Sequence, residues 1–158
     1  MTRCDLSLGF VGLGALGLPM AINLQRAGFP LRVHTRSRSA ETSAGLEGAI
    51  RCSSPADAST GVDMLLLCVS DDAAVENVLF GPNGAASQLS DGSVVLDCST
   101  IAPATAQRCG ERLAGQNVHY LDAPVTGGTE GAKRGSLTVL VGGASELLER
   151  VKPILEVS

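Results

Sequence analysis

The chain lacks tryptophan, and aromatic residues make up only 3% of its 158 residues. It also lacks any apolar run long enough to cross a membrane. Acidic residues outnumber basic ones, and the formal net charge of −4 argues against nucleic acid or an anionic membrane surface as the main partner. These absences leave globular enzymes and binding domains as the classes to consider.

Cysteine spacing and the N-terminal residues indicate the cellular compartment. No two of the five cysteines have the spacing of a zinc knuckle or a redox CxxC pair, so no metal site is predicted. Cys68 and Cys98 follow apolar runs and are expected to be small buried residues. No signal peptide is recognisable at the N-terminus. We therefore expect a protein of the reducing cytoplasm. The cysteines are Cys4, Cys52, Cys68, Cys98 and Cys109.

A glycine motif near the N-terminus organises the chain. Gly12, Gly14 and Gly17 have the spacing G-x-G-x-x-G, flanked by the apolar segment Leu6–Val11 and the helix-like segment Ala15–Ala27. Strand, turn and helix in this order form the dinucleotide-binding fingerprint. Gly12 allows the turn, Gly14 lets a pyrophosphate approach the backbone, and Gly17 lets the helix lie against the strand. The alternative is a glycine loop that merely turns, and the flanking segments argue against it.

Apolar and helix-like segments alternate along the rest of the chain. Strands are predicted near 5–11, 31–35, 49–52, 63–69, 94–97, 118–122 and 137–141. Helices are predicted near 13–27, 39–45, 54–60, 71–80, 103–113 and 145–155, with a glycine-rich loop at 123–134. This alternation predicts one α/β domain over 1–158, a doubly wound and mostly parallel sheet of the Rossmann type. Ligands of such sheets bind beyond the carboxyl ends of the strands.

The end of the second predicted strand indicates which dinucleotide binds. An acidic residue about 20 residues past the glycines usually holds the ribose hydroxyls of NAD. No carboxylate lies between residues 31 and 40 here; Thr35 occupies that position and Arg36 follows it. A guanidinium binds a 2′-phosphate through a fork of donors, so we expect NADP in preference to NAD. The alternative is that Arg36 and Arg38 are only solvated surface charges.

Polar residues also follow two later strands. Ser70 lies where ribose or phosphate is expected, whereas Asp71 is interpreted as a helix cap. Ser99 and Thr100 offer hydroxyls near the expected nicotinamide, or else they cap the helix that begins at Pro103. Both roles remain open for Ser99 and Thr100.

A second glycine-containing turn, Thr126-Gly127-Gly128, follows the strand near 118–122. Its successive N–H groups can form an anion-binding nest for a carboxylate, or the segment is an ordinary glycine loop. His34 and His119 have no visible partner, and we expect core or surface roles for them. Lys133 is interpreted as part of a solvated turn.

Together these segments resemble the β-hydroxyacid dehydrogenase family, which includes 3-hydroxyisobutyrate dehydrogenase, tartronate semialdehyde reductase and relatives of 6-phosphogluconate dehydrogenase. The similarity covers nearly the whole chain and is carried by Gly9–Leu24, His34–Ser37, Ser99–Thr100 and Asp122–Gly128. It implies hydride transfer between NADP(H) and a short 3-hydroxy acid or its semialdehyde, in a homo-oligomer. With the glycine motif, it implies coenzyme contacts from Gly12, Leu13, Gly14, Ala15, Leu16, Gly17, Thr35, Arg36, Ser37, Val69, Ser70, Ala74, Ser99 and Thr100. Substrate contacts are implied for Thr126, Gly127 and Gly128.

The sequence departs from the family in two ways. Thr126 stands where the family commonly has serine; it keeps a hydroxyl that can orient the substrate. The catalytic lysine of the family belongs to a later motif and to a protein with a second, all-helical domain. We therefore expect an N-terminal domain that binds coenzyme with little turnover of its own, and Lys133 is not expected to replace that lysine. Two alternatives are a non-catalytic coenzyme-binding module and an imine reductase-like enzyme, against which the Thr126 turn argues.

Overall fold

The structure is a computed structural model that describes residues 5–139, 141 and 145–157. Cys4, and residue 140 of the last predicted strand, lie outside the described residues. The strands are β1 (Leu8–Val11), β2 (Leu31–His34), β3 (Ile50–Arg51), β4 (Met64–Leu67), β5 (Val94–Asp97), β6 (His119–Asp122), β7 (Val125–Thr126) and β8 (Thr138–Val139). The helices are α1 (Gly17–Arg26), α2 (Pro55–Ser59), α3 (Asp72–Phe80), α4 (Pro103–Ala114), α5 (Gly128–Arg134) and α6 (Ser145–Leu155). Two 3₁₀ turns lie at Ser39–Thr42 and Ala85–Ser87.

Six of these strands form one parallel sheet in the order β3-β2-β1-β4-β5-β6. The chain winds outward from β1 to β3, returns to the middle for β4, and then winds outward in the other direction. The strand order therefore reverses between β1 and β4, which is the switch point of a doubly wound sheet. The predicted fold class is confirmed.

The central strands are apolar throughout because both faces of the sheet are covered. All four residues of β1, β4 and β5 are buried. Alternate side chains point to opposite faces, so Phe10 packs in one apolar cluster with Met20 and Leu24 of α1. Val11 belongs to the other cluster, with Val75 of α3. This double covering explains why the strands read as continuous apolar runs.

The first helix begins later than the sequence predicts. The expected start was Leu13, whereas α1 begins at Gly17. The intervening residues form the turn out of β1, where Gly12 has a left-handed φ of 103°. At the other end, Gly28 follows the helix with a left-handed φ of 95°, a conformation in which helices commonly end.

The glycine-rich segment at 123–134 is not the loop that the sequence predicts. It contains β7, which pairs antiparallel with β8, and the helix α5. Tertiary contacts outweigh the poor helix propensity of its glycines, because Asn23 of α1 donates a 2.7 Å hydrogen bond to the carbonyl oxygen of Ala132. The helix ends at Gly135, which has a left-handed φ of 68°.

Candidate functional site

The central strands of the sheet end level with one another at the carboxyl edge. The pairing register sets Val11 beside His34 and Leu67, Leu67 beside Asp97, and Asp97 beside Asp122. The residues that follow β1, β2, β4 and β5 therefore share one edge, on both sides of the switch point. Sheets of this order bind their ligands at that edge.

The turn from β1 to α1 combines two packed glycines with one open glycine. A Cβ on Gly12 would overlap the carbonyl oxygen of Cys68, and one on Gly17 would overlap the carbonyl oxygen of Gly12. A Cβ on Gly14 would meet no heavy atom within 4 Å, and Gly14 and Ala15 are exposed. The backbone is therefore accessible only at the middle of the motif, where the sequence predicts a pyrophosphate.

The start of α1 supplies hydrogen-bond donors at the same place. Among the described residues, no side chain caps this helix, and its first turn contains no acidic residue. The first N–H groups of a helix have no partner within the helix, and the helix dipole favours negative charge there. Uncapped amides beside an open glycine fit the diphosphate of a dinucleotide.

The end of β2 is joined directly to this turn. Leu13 N donates a 3.3 Å hydrogen bond to Thr35 Oγ1. A turn follows, closed by Arg38 N, which donates to the Thr35 carbonyl oxygen at 3.1 Å. Arg36 and Ser37 are the exposed residues at the tip of this turn. Within the described part of the chain, Arg36 has no ion-pair partner, so its guanidinium is available to an anion.

An acidic residue that the sequence did not predict for the site lies at this strand end. Glu41 lies just past the searched window, and its side chain, which is 0% exposed, returns to the end of β2. Its Oε2 accepts from Thr35 N at 2.9 Å, and both of its oxygens accept from Arg38 Nε at 2.9 Å. Both oxygens are thus occupied by protein donors, unlike an acid that holds ribose hydroxyls. The i,i+3 spacing of Arg38 and Glu41 was the available signal.

His34 has a partner that the sequence did not reveal. Its Nδ1 lies 2.9 Å from the carbonyl oxygen of Cys52 and 3.6 Å from Glu41 Oε2. The ring is buried beneath the end of β2. Of the core and surface roles expected for His34, this placement is consistent with the core role.

A buried hydrogen-bond network fixes the ends of β4, β5 and β6. Val69 N donates to Ser99 Oγ at 2.9 Å, and Ser99 N donates to Asp97 Oδ1 at 3.0 Å. Tyr120 Oη donates to the other carboxylate oxygen of Asp97 at 2.6 Å. Burial raises the pKa of the Asp97 carboxyl above its ordinary value, and it raises the pKa of Tyr120 as well. The network holds Ser99 inside the fold and leaves its neighbour Thr100 exposed.

The two capping interpretations have different outcomes. Asp71 caps α3 as predicted, because its Oδ1 accepts from Ala74 N at 2.8 Å. Neither Ser99 nor Thr100 caps α4; the N-cap is Ala102, whose N–H donates to Asp72 Oδ2 at 3.1 Å. Ser70, just before α3, is exposed at the carboxyl edge of the sheet.

The Thr126-Gly127-Gly128 turn joins β7 to α5, outside the six-stranded sheet. All three residues are exposed, and the two glycines have left-handed φ values of 125° and 63°. The turn is tied to the remainder of the site through α5, which packs against α1. Lys133 is exposed, with its Nζ 4.0 Å from Glu130 Oε1, which confirms its expected solvated position. It lies in the helix α5 and not in the turn that the sequence predicts.

Two kinds of feature are absent from the described residues. No helix among them is both long and apolar enough to cross a membrane. Across the same residues, no group of three or more His, Cys, Asp or Glu side chains could hold a metal ion.

Comparison with known proteins gives consistent matches. Residues 7–158 match the model of the NAD binding domain of 6-phosphogluconate dehydrogenase. The chain is 40% identical to 2-hydroxy-3-oxopropionate reductase of Escherichia coli strain K12 over 96% of its own length and 51% of that protein. The chain spans about half the length of the curated relatives it matches.

Solved structures match the fold over the same extent. Mycobacterium tuberculosis 3-hydroxyisobutyrate dehydrogenase with L-serine superposes with a TM-score of 0.90 at 28% identity, covering 96% of this chain and 51% of that one. Psf3 in complex with NADP+ and 2-OPP superposes with a TM-score of 0.88 at 34% identity, covering 95% of this chain and 53% of that one.

Proposed function

We propose that this chain, which belongs to the family of NAD-binding domains of 6-phosphogluconate dehydrogenase, binds NADP(H) at the carboxyl edge of its sheet as one domain over 1–158. The observation that carries the proposal is the β1–α1 turn. There, exposed Gly14 stands between two packed glycines, beside a helix start without a side-chain cap among the described residues.

The diphosphate bridge is assigned to this turn. The amides of Gly14, Ala15 and Leu16 donate to its oxygens, with the dipole of α1 behind them. Gly12, Leu13 and Gly17 shape the turn rather than supply side chains. Leu13 N also bonds to Thr35 Oγ1 at 3.3 Å, so the diphosphate site and the adenosine site are held at a fixed separation.

The adenosine 2′-phosphate is assigned to the turn after β2. Arg36 and Ser37 are exposed there, next to Thr35. A charge-assisted hydrogen bond contributes about 1.5–3 kcal/mol. At about 1.4 kcal/mol per factor of ten, Arg36 alone favours NADP over NAD by about one to two orders of magnitude. Glu41, whose side chain is 0% exposed and already accepts from Thr35 N and Arg38 Nε, does not compete for the ribose hydroxyls.

The nicotinamide end is assigned to the ends of β4 and β5. Exposed Ser70 and Thr100 supply hydroxyls, while Val69 and the first turn of α3 at Ala74 line the side of the coenzyme. Ser99 acts through the network, because it fixes the backbone of Val69 through its hydroxyl. Bound NADP(H) would supply a hydride donor or acceptor, and the chain's residues orient it.

The reaction is proposed for a protein of the length of the relatives. Relatives include 2-hydroxy-3-oxopropionate reductase and 3-hydroxyisobutyrate dehydrogenase, and a short 3-hydroxy acid or its semialdehyde is the proposed substrate. Its carboxylate is assigned to the N–H groups and hydroxyl of Thr126-Gly127-Gly128. We assign no catalytic acid or base to this chain, whose Lys133 is exposed beside Glu130.

Titration with NADPH and NADH tests the proposal. We expect NADPH to bind the wild-type chain more tightly, and Arg36→Ala to remove about one to two orders of magnitude of that preference. Arg26→Ala is the matched control, since Arg26 is an exposed arginine in the last turn of α1, at the opposite end of that helix. Tighter binding of NADH to the wild type, or an unchanged preference in Arg36→Ala, would contradict the choice of coenzyme.

A further inference from the structure

We propose that Arg38, held by the buried carboxylate of Glu41, is a second specificity-determining guanidinium for the phosphate on the adenosine ribose of NADP(H). The inference rests on the proposed function and extends it from one arginine to a pair. Its support comes from the contact between the two side chains, the backbone of the turn, and the charges around Glu41.

The contact anchors one edge of the Arg38 guanidinium and leaves the other edge accessible. Both oxygens of Glu41 accept from Arg38 Nε at 2.9 Å, and the Glu41 side chain is 0% exposed. The side chain of Arg38 is 42% exposed. Because these bonds use Nε alone, the terminal nitrogens of Arg38 can still donate to a second acceptor. A guanidinium fixed before binding loses less conformational freedom when an anion arrives.

The backbone of the turn is held by the same carboxylate. Arg38 has a left-handed φ of 67°, a conformation that non-glycine residues rarely adopt. Its N–H donates to the Thr35 carbonyl oxygen at 3.1 Å, while Thr35 N donates to Glu41 Oε2 at 2.9 Å. Glu41 therefore ties both ends of the turn that exposes Arg36. Strained residues held in place by surrounding contacts are concentrated at ligand sites.

The charges around Glu41 leave a surplus of positive charge. Arg38 contacts Glu41 directly, Arg51 Nε lies 3.7 Å from Glu41 Oε1, and Arg36 stands at the tip of the turn. Within this turn two guanidinium groups, those of Arg36 and Arg38, accompany one carboxylate, whereas Arg51 belongs to β3 and lies outside the turn. The local field favours an anion with more than one negative charge, which describes a phosphate monoester better than a ribose hydroxyl.

A purely electrostatic role for Glu41 predicts the opposite sign of one effect. If Glu41 positions Arg38, replacing it with the neutral, isosteric glutamine loosens Arg38 and weakens NADPH binding. If Glu41 is merely a negative charge near the phosphate, the same replacement removes a repulsion and tightens NADPH binding. The sign of the change distinguishes the two roles.

The experiment is calorimetric titration of NADPH and NADH into the wild type and the variants R38A, E41Q and R51A. We expect R38A to raise the Kd of NADPH about tenfold and that of NADH less than about twofold. E41Q is expected to raise the Kd of NADPH about three- to tenfold. R51A is the matched control, because it also removes a guanidinium from beside Glu41. We expect it to leave the preference for NADPH over NADH within about twofold of wild type.

Three results would overturn the inference. They are an unchanged preference for NADPH in R38A, a loss of that preference in R51A as large as in R38A, and tighter NADPH binding by E41Q. Failure of the proposed function looks different, because the wild type would then lack a preference for NADPH or R36A would have no effect. Circular dichroism verifies that each variant is folded. If E41Q does not fold, the NADPH preferences of R38A and R51A are compared instead. Both variants are expected to fold, because both arginine side chains are substantially exposed.

Discussion

At the scale of single residues, the glycines of the β1–α1 turn have separate physical roles. Gly12 and Gly17 lie where an added methyl group would overlap a backbone carbonyl oxygen. Gly14 lies where an added methyl group would enter open space. Sequence spacing predicts all three glycines together, but only the structure separates the two that allow packing from the one that faces solvent.

Alanine substitution should therefore separate stability from binding. We expect Gly17→Ala to reduce the free energy of unfolding by about 1–3 kcal/mol or more, because backbone must move. Gly14→Ala should change stability by less than about 0.5 kcal/mol, as is usual for exposed sites. It should weaken NADPH binding about tenfold, since the methyl group occupies the space assigned to the diphosphate. Urea unfolding and NADPH titration measure the two effects; normal binding by Gly14→Ala would count against the site.

Two carboxylates make opposite contributions to the pH dependence of stability. Burial raises the pKa of Asp97 above its ordinary 3.8. As pH rises, the Asp97 carboxyl therefore loses its proton in the unfolded chain before it does so in the folded protein. Relative to Asp97→Asn, wild-type stability should therefore fall as pH rises above about 4, until Asp97 also ionises in the folded protein. Asparagine suits the site because its amide can accept from Ser99 N and donate to Tyr120 Oη.

Asp57 provides the internal comparison. The N–H of Ser53 and the guanidinium of Arg32 lower the pKa of Asp57. Its contribution is therefore present above pH 4 and is lost as pH falls through the folded pKa. Urea unfolding of Asp97→Asn and Asp57→Asn over a pH series should give differences from wild type with opposite slopes. Slopes of the same sign would contradict the described environment of Asp97.

At the scale of secondary-structure elements, the starts of helices were predictable where a side chain caps them. Asp71 caps α3 as interpreted from the sequence, and Ser54 caps α2, predicted near 54–60, through a 3.1 Å bond from Asp57 N. The start of α1 was misplaced because it has no side-chain cap among the described residues. The helix α5 was missed because its stability comes from packing against α1, which local sequence does not encode.

Removing the cap of α3 tests whether Asp71 acts structurally. We expect Asp71→Ala to lower the free energy of unfolding by about 1 kcal/mol, because Ala74 N loses its acceptor at the helix start. Asp71→Ser, which keeps an acceptor, is the matched control and should retain most of the stability. NADPH affinity should stay within about twofold of wild type in both variants. A large loss of affinity at unchanged stability would make Asp71 a ligand instead of a cap.

At the scale of the whole molecule, the strand order brings together residues that are far apart in sequence. Alternating apolar and helical segments predicted the doubly wound sheet, because parallel strands covered on both faces leave continuous apolar runs. Because parallel strands end at the same edge of a sheet, the prediction also placed Gly14, Arg36, Ser70 and Thr100 at one edge. What sequence could not predict is side-chain geometry within that edge, above all the return of Glu41 to the end of β2.

A crystal structure of the chain with NADPH tests the coenzyme site proposed at the β1–α1 turn. We predict that its diphosphate contacts the amides of Gly14 to Leu16, and that its 2′-phosphate lies within hydrogen-bond distance of Arg36. NADPH bound elsewhere, with the β1–α1 turn open to solvent, would contradict the central claim.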